Sequence, residues 1–347
     1  MKVGIFGSSG AGKSTLFRAL AGGGESSQKG VSAGVCTIRV PDERVDRLAA
    51  VFHPRKTTHV SITFEDIDVK EEGELLSTEG LAKIKGVEVL AVVLRGFSDD
   101  FHPAPPEGLD PVKEFRAIES ELTLSDYLVA QKRIERMTKE ARRDIEWTTL
   151  HKAIASLERE VPLRKVVFSG EELRILSGFR FVSRVPLLPV LNVGEAELAG
   201  EPYPEFNSVA GDRGVPVIRL SARIEEEISQ LSPVEQADFL KEMGIARGAR
   251  DQLVRGAFDA MEYICFLTVG EDEVRAWNIQ RGATALMAAG RIHSDLEKGF
   301  IRAEVIGWED FLRCGTMAKA KAEGKLRLEG KEYVVRDGDI LHVRFNV

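Results

Sequence analysis

Apolar residues in the first third of the chain come in short, strand-length runs, "KVGIFG", "VSITFEDID" and "VEVLAVVL", each bounded by glycine, charged or polar residues. Between the runs lie loops or segments with helical spacing, and that alternation is the pattern of a parallel α/β sheet. Comparable runs return much later, at "VPLLPVLNVG" and "VPVIRLSA". The stretch in between therefore reads as an insertion into one sheet. Inside it Ile134, Met137, Ala141 and Ile145, then Leu150, Ile154, Leu157 and Val161, recur at helical steps, which predicts two amphipathic helices with a bend near Trp147. Two S-x-x-E capping boxes, Ser169 to Glu172 and Ser232 to Glu235, mark helix starts after the insertion, the second with Pro233 at the favoured first position. From about Tyr263 the pattern changes to short strands with glycine turns, which predicts a small mixed domain. The expected organisation is one α/β domain over residues 1–112 and 166–262, a helical hairpin over 113–165 and a C-terminal domain over 263–347, without internal repeats.

The opening "MKVGIFGSSGAGKSTLFRAL" adds chemistry to the first strand. Gly7, Ser8, Ser9, Gly10, Ala11, Gly12, Lys13 and Ser14 fit the phosphate-loop pattern G-x-x-x-x-G-K-[ST], with Thr15 beside it, between a predicted strand and an amphipathic helix. In that context the glycines let successive backbone N–H groups converge on phosphate oxygens at a helix N-terminus. Lys13 would reach the β- and γ-phosphates, and Ser14 would ligate magnesium. The motif names neither the base nor the reaction.

A second strand after a phosphate loop should end in an acidic residue that holds magnesium, usually through water, and "SITFEDID" supplies Asp66, preferred to Glu65 and Asp68. The same carboxylate would also suit a turn cap. Between the two lies "GVCTIRVPD", where Thr37 is a candidate switch residue offering its hydroxyl and carbonyl to magnesium and the γ-phosphate; taken alone, a threonine in a strand is a β-former. For the base, "PVLNVGEAE" offers Asn192 and Glu195 with the spacing of the GTPase loop N-K-x-D, but Val193 replaces the lysine and Glu195 the aspartate. Losing a charged hydrogen bond to guanine costs about 1.5 to 3 kcal/mol, and a longer carboxylate suits the exocyclic amine of adenine, so ATP is expected over GTP. Ser221 and Ala222 in "RLSAR" resemble the loop that closes over the base in such folds.

Composition narrows the setting. A chain of 347 residues that is 43% hydrophobic suffices for two or three domains and one substantial core. A formal charge of -7 speaks against coating nucleic acid by bulk electrostatics, and no DNA partner is expected. The piece "KRIERMTKEARR", with six basic and two acidic residues, leaves a local basic face on the hairpin, or simply a solvated helix surface. The three cysteines, Cys36, Cys265 and Cys314, are far apart and lack metal-site spacing, which suits a reducing compartment. No signal peptide precedes the first strand and "VEVLAVVL" is too short to span a bilayer, so a cytoplasmic protein without a membrane partner is expected.

Taken together these residues resemble the YchF-type Obg-like ATPase family, within the translation-factor class of P-loop NTPases. The likeness runs nearly the full length. Its most specific part is "EVRAWNIQRGATALMAAGRIHSDLEKGFIRAEVIGWEDF" followed by "EGKEYVVRDGDILHVRFNV", which is similar to the family's TGS domain, a β-grasp module. It is supported by "CTI" at Cys36 to Ile38, by "DPVKEFRAIESELTLSDY" leading into the coiled-coil insertion, by the N-x-x-E loop at Asn192 and by "LSARIEEEISQL". The resemblance implies a GTPase-like α/β sheet with a coiled-coil insertion and a TGS domain, magnesium and ATP as ligands with GTP less favoured, slow hydrolysis with Lys13 and Thr37 as the catalytic candidates, and association with ribosomes or ribosomal RNA through the TGS domain and coiled coil. From Ile264 onward thirteen basic and thirteen acidic residues balance, so the ribosome expectation rests on the resemblance and not on charge.

Two departures from the family pattern bear on hydrolysis. The family loop reads G-L-P-N-V-G-K-S, and Gly10 stands where the asparagine of potassium-stimulated relatives coordinates the cation. After Asp66 the family continues D-I-A-G-L, whereas "DIDVKEEGELLS" puts Val69 where the glycine that senses γ-phosphate belongs. The functions in competition are a slow regulatory ATPase of translation or stress and a nucleotide-dependent binding module that no longer hydrolyses. A small-molecule kinase would account for the phosphate loop alone.

Overall fold

The computed structural model describes residues 1–22, 34–67, 77–99, 103–200, 202–210 and 217–346. Its strands are β1 (Lys2–Phe6), β2 (Val35–Arg39), β3 (Lys56–Thr58), β4 (Ser61–Asp66), β5 (Val89–Gly96) and β6 (Leu187–Val193). The remainder are β7 (Ile218–Leu220), β8 (Tyr263–Val269), β9 (Glu273–Gln280), β10 (Phe300–Gly307), β11 (Arg327–Glu329) and β12 (Asp339–Phe345). Two compact units result, one of Met1–Ile38 with Thr63–Ala260, the other of Arg39–Ile62 with Met261–Val347.

The first unit is built on a sheet of order β2-β4-β1-β5-β6-β7, in which β4, β1, β5, β6 and β7 pair in parallel. Strands buried on both faces need continuous apolar runs, and β5 and β6 supply them: Val89 to Leu94 and Leu187 to Val193 are all buried. One core face joins Phe6, Leu90, Val92 and Leu94 to Phe115, Ile118 and Leu122 from the helix Pro111–Lys139. Phe115 meets Phe206 edge-on at 5.8 Å, which ties that helix to Pro204–Ala210.

The insertion is a helical hairpin, but its bend falls earlier than the periodicity suggests. Pro111–Lys139 is followed by Ile145–Leu157, and Trp147 lies in the first turn of the second helix. Ala141 takes a left-handed backbone, φ 56°, and the Asp144 carboxylate accepts from Trp147 N and restarts the helix. Val161 lies beyond the second helix. The hairpin's own core, with Met137, Leu150 and Leu157, continues into Leu163, Phe168, Leu176 and Phe181, so the helical region reaches past residue 165. Both capping boxes form, at Ser169 and at Ser232.

The second unit holds a mixed sheet of order β11-β10-β12-β8-β9-β3. The helix Ala285–Ile292 packs Ala285, Ala288 and Ala289 against Phe266, Val305 and Leu341 of the sheet. Residues 39–62, assigned from sequence to the nucleotide domain, belong here. β3 pairs in parallel with β9, Lys56 against Glu273 to Thr58 against Arg275, and Arg44 Nη1 bonds Asp337 at 2.8 Å. A helix followed by a short strand reads the same in either sheet, because strand pairing is settled by contacts distant in sequence.

Candidate nucleotide-binding site

β1 delivers the chain into the glycine loop, and the helix Lys13–Gly22 leaves it. Glycine is required at two points for different reasons. At Gly7 a Cβ would stand 2.1 Å from the Val93 carbonyl oxygen of the neighbouring strand. At Gly12, with φ 90°, it would stand 2.2 Å from the Asn192 amide nitrogen. Within the loop Ala11 N donates to Ser8 O at 3.2 Å, Leu16 N donates to Gly12 O at 2.9 Å, and Lys13 Nζ donates to Ser8 O at 2.8 Å.

Asn192, at the end of β6 and buried, joins this loop to the later one. Its Nδ2 donates to Ala11 O at 2.9 Å and its Oδ1 accepts from Ala222 N at 2.9 Å. Ser221 sits at the N-cap of Ala222–Ser229 without a side-chain capping bond. That helix packs on Lys13–Gly22, where Arg18 Nε reaches Glu226 Oε1 at 2.5 Å.

A cavity of about 890 Å³ opens between the two loops. Ser9, Gly10, Gly12, Lys13, Ser14 and Thr15 line one side, and Asn192, Val193, Glu195, Ser221 and Ala222 the other. Gly7, Ser8 and Ala11 shape the loop without lining the cavity. Val193 is 1% exposed and belongs to the hydrophobic core, while Glu195 is exposed. Neither Thr37 nor Asp66 reaches the lining. Thr37 is exposed on edge strand β2, its Oγ1 3.2 Å from that of Thr63. Asp66 ends β4 opposite Ile5 of β1, next to the strand that feeds the loop, and its N–H donates to Gly34 O at 2.8 Å. Val69 and Asp68 lie outside the described residues.

The lining also includes residues that the motifs did not single out: Phe97, Ser98 and Asp99 after β5, Glu197, and Arg223, Glu226 and Glu227 on the closing helix. A signal for the first group was available. β5 neighbours β1, and ligands of open α/β sheets bind at the carboxyl ends of such strands.

The donor chemistry suits magnesium. That ion keeps several waters and needs few protein oxygens beside the phosphates, which the residue types at Ser14 and Asp66 match, although only Ser14 lines the cavity. Among the described residues no cluster of three histidine, cysteine or acidic side chains is arranged for a metal.

Comparison with known proteins follows the same outline. The family model YchF-GTPase_C, described as a protein of unknown function (DUF933), matches residues 263–346. "Ribosome-binding ATPase YchF" of Bacillus subtilis (strain 168) is 38% identical over 364 residues, covering 100% of both chains. The chain belongs to the YchF family. The Haemophilus influenzae protein of the same description is 35% identical over 366 residues, covering 100% of this chain and 99% of its own. Among solved structures, the Schizosaccharomyces pombe YchF GTPase superposes with a TM-score of 0.86 at 27% identity, over 99% of this chain and 97% of that one. The YchF fold thus covers both units, and the α/β sheet, helical hairpin and C-terminal mixed sheet are the family's architecture.

Proposed function

We propose that the chain is a ribosome-associated regulatory NTPase that binds magnesium–ATP in preference to GTP and hydrolyses it slowly, in the cytoplasm. The observation that carries the reading is the Asn192 bridge, which fastens the phosphate loop to the loop expected over the base and frames one cavity between them. In this reading the loop amides and Lys13 hold the phosphates, Ser14 and Asp66 hold magnesium, Glu195 accepts from the adenine amine, and Thr37 is the switch residue. Magnesium, when bound, supplies positive charge at the phosphoryl oxygens. Relatives described as ribosome-binding ATPases support the partner and the nucleotide. The helices support no membrane span, since none described is long and apolar enough to cross one.

A second reading, a binding module that has lost hydrolysis, is favoured by Gly10, which has no side chain to hold a cation beside the phosphates. Competition binding of ATP and GTP, single-turnover hydrolysis in potassium and in sodium, and co-sedimentation with ribosomes test the whole. The expected result is tighter ATP, a slow potassium-insensitive rate above a Lys13→Ala control, and ribosome association. Equal or tighter GTP would overturn the adenine assignment, and a rate no higher than the control would favour the second reading. A rate several-fold faster in potassium would mean that a residue other than Gly10 holds the cation. Absence from the ribosomal pellet in every nucleotide state would remove the partner.

A further inference from the structure

The helix Pro111–Lys139 starts at Asp110, whose side chain caps it through Lys113 N at 2.9 Å, and Glu114 stands in its first turn. Glu114 is not among the residues lining the nucleotide cavity. Its carboxylate lies against the phosphate loop instead, facing the hydroxyl and backbone of Ser8, the backbone of Arg95 and the charge of Lys13. These groups are near enough to favour the charged form, yet Oε1, sealed from solvent, accepts no hydrogen bond. Burial is the largest influence and pushes the Glu114 carboxyl up. Lys13 in turn gives its Nζ hydrogen bond to the Ser8 carbonyl at 2.8 Å. Ser8 is thus held from both sides.

The other neighbours of this turn have partners of their own. From β5, the Arg95 guanidinium donates to the Phe97 and Pro103 carbonyls, both at 3.1 Å. Pro204–Ala210 contributes the apolar Phe206 against Phe115. The turn Val182–Arg184 donates to Asp126, about three turns further along the same helix. On its own turn Lys113 is exposed and Asp110 is engaged as the cap. Lys13 adds a positive charge that acts on Glu114 and favours its carboxylate.

We propose that Glu114 is a positioning residue of the nucleotide site: it holds Ser8 and Lys13 in the free loop, and when a nucleoside triphosphate takes Lys13, Glu114 takes up a proton from solvent. The inference rests on the nucleotide reading above and concerns its regulation. Phosphates engage the lysine charge and bring negative charge of their own, and both changes disfavour a buried carboxylate. Binding and protonation are then linked, so ATP affinity falls as pH rises through the Glu114 titration, because only the protonated carboxyl is free of repulsion.

Isothermal titration of the full chain with ATP in excess magnesium, in buffers of different ionisation enthalpy at about pH 7.5, counts the protons. The expected result is net uptake by the wild type and none by Glu114→Gln, which keeps the size and the Ser8 contact but removes the charge. Glu114→Gln should also bind ATP several-fold more tightly, an effect that loss of a merely structural contact would not produce. Equal uptake in the two proteins, or none in the wild type, would overturn the proposal. If the variant does not fold, wild-type ATP affinity measured from the ordinary carboxylate range up to neutral pH decides, and affinity that does not fall anywhere with rising pH sinks it. Binding without proton uptake leaves the nucleotide reading standing, whereas a chain that binds neither ATP nor GTP fails that reading and this one together.

Discussion

The Asn192 amide nitrogen donates to the Ala11 carbonyl at 2.9 Å, and through that one bond the end of β6 holds the phosphate loop. The same side chain accepts from Ala222 N, so a single buried amide meets a donor on one side and an acceptor on the other. An aspartate there would turn a carboxylate toward the Ala11 carbonyl. Asn192→Asp is expected to lower the unfolding midpoint and to weaken ATP binding more than Asn192→Ala, which leaves both partners unsatisfied at about 1 to 3 kcal/mol each. Denaturant unfolding and nucleotide titration of both variants check the order. Equal effects would mean that charge at this position does not matter.

Gly12 owes its identity to the same amide, because an added Cβ would stand 2.2 Å from Asn192 Nδ2. Gly12→Ala should therefore be severe in the wild type and milder in an Asn192→Ala background, where only the strain of a positive φ remains, about 1 to 3 kcal/mol. A double-mutant cycle on stability measures the difference. Strict additivity would show that the contact does not limit the glycine.

The phosphate loop and Asn192 were legible in sequence because a glycine pattern and a strand end dictate local chain geometry, and local geometry is what a motif encodes. The bend at Ala141 was not, since helical spacing continues through a residue whose backbone turns left-handed. Nor was the allegiance of residues 39–62, for β3 finds its partner β9 more than two hundred residues away. Glu114 illustrates the same limit at the site. It meets Ser8 only because the helix core at Phe115 and Phe206 brings that turn there.

Base preference can be tested with less disturbance than the GTPase pattern suggests. Restoring lysine at Val193 would place an ammonium in the core, because Val193 is 1% exposed. Glu195 is exposed and free of that constraint. Glu195→Asp alone should move the ATP-to-GTP affinity ratio toward GTP by about tenfold or more, the scale of one charged hydrogen bond. Competition binding checks it, and an unchanged ratio would mean that the base is read by another cavity residue.

In the second unit Phe52 stacks on Phe311 at 4.8 Å, and Phe311 is fully enclosed. Removing Tyr263 to Val347 to look for a partner site would therefore strip residues 39–62 of their own core. A point variant makes the dependence measurable. Phe311→Ala should cost about 3 to 5 kcal/mol of the stability of this unit, read by urea unfolding, with ATP affinity retained if the two units unfold separately. A loss below about 1 kcal/mol would mean that the site repacks around the missing ring.

Asp126 carries the clearest acid signature of the fold. It is 1% exposed on the hairpin's first helix and accepts from Val182 N at 2.9 Å and Ser183 N at 2.7 Å. Burial pushes its carboxyl up to about 6 from an ordinary 3.8, against the pull of those N–H donors and of Lys85. A raised carboxyl binds its proton more tightly when folded, so its stabilisation is fully present below the unfolded value and is lost as pH rises through about 6. The span corresponds to a few kcal/mol at most. Asn in place of Asp cannot titrate but still offers one acceptor oxygen. Urea midpoints of the wild type, corrected with Asp126→Asn at each pH, should therefore show an excess fall between about pH 4 and 6 that the variant lacks. Parallel curves for the two proteins would mean that the carboxylate is already charged at the acid end, held there by its two backbone donors.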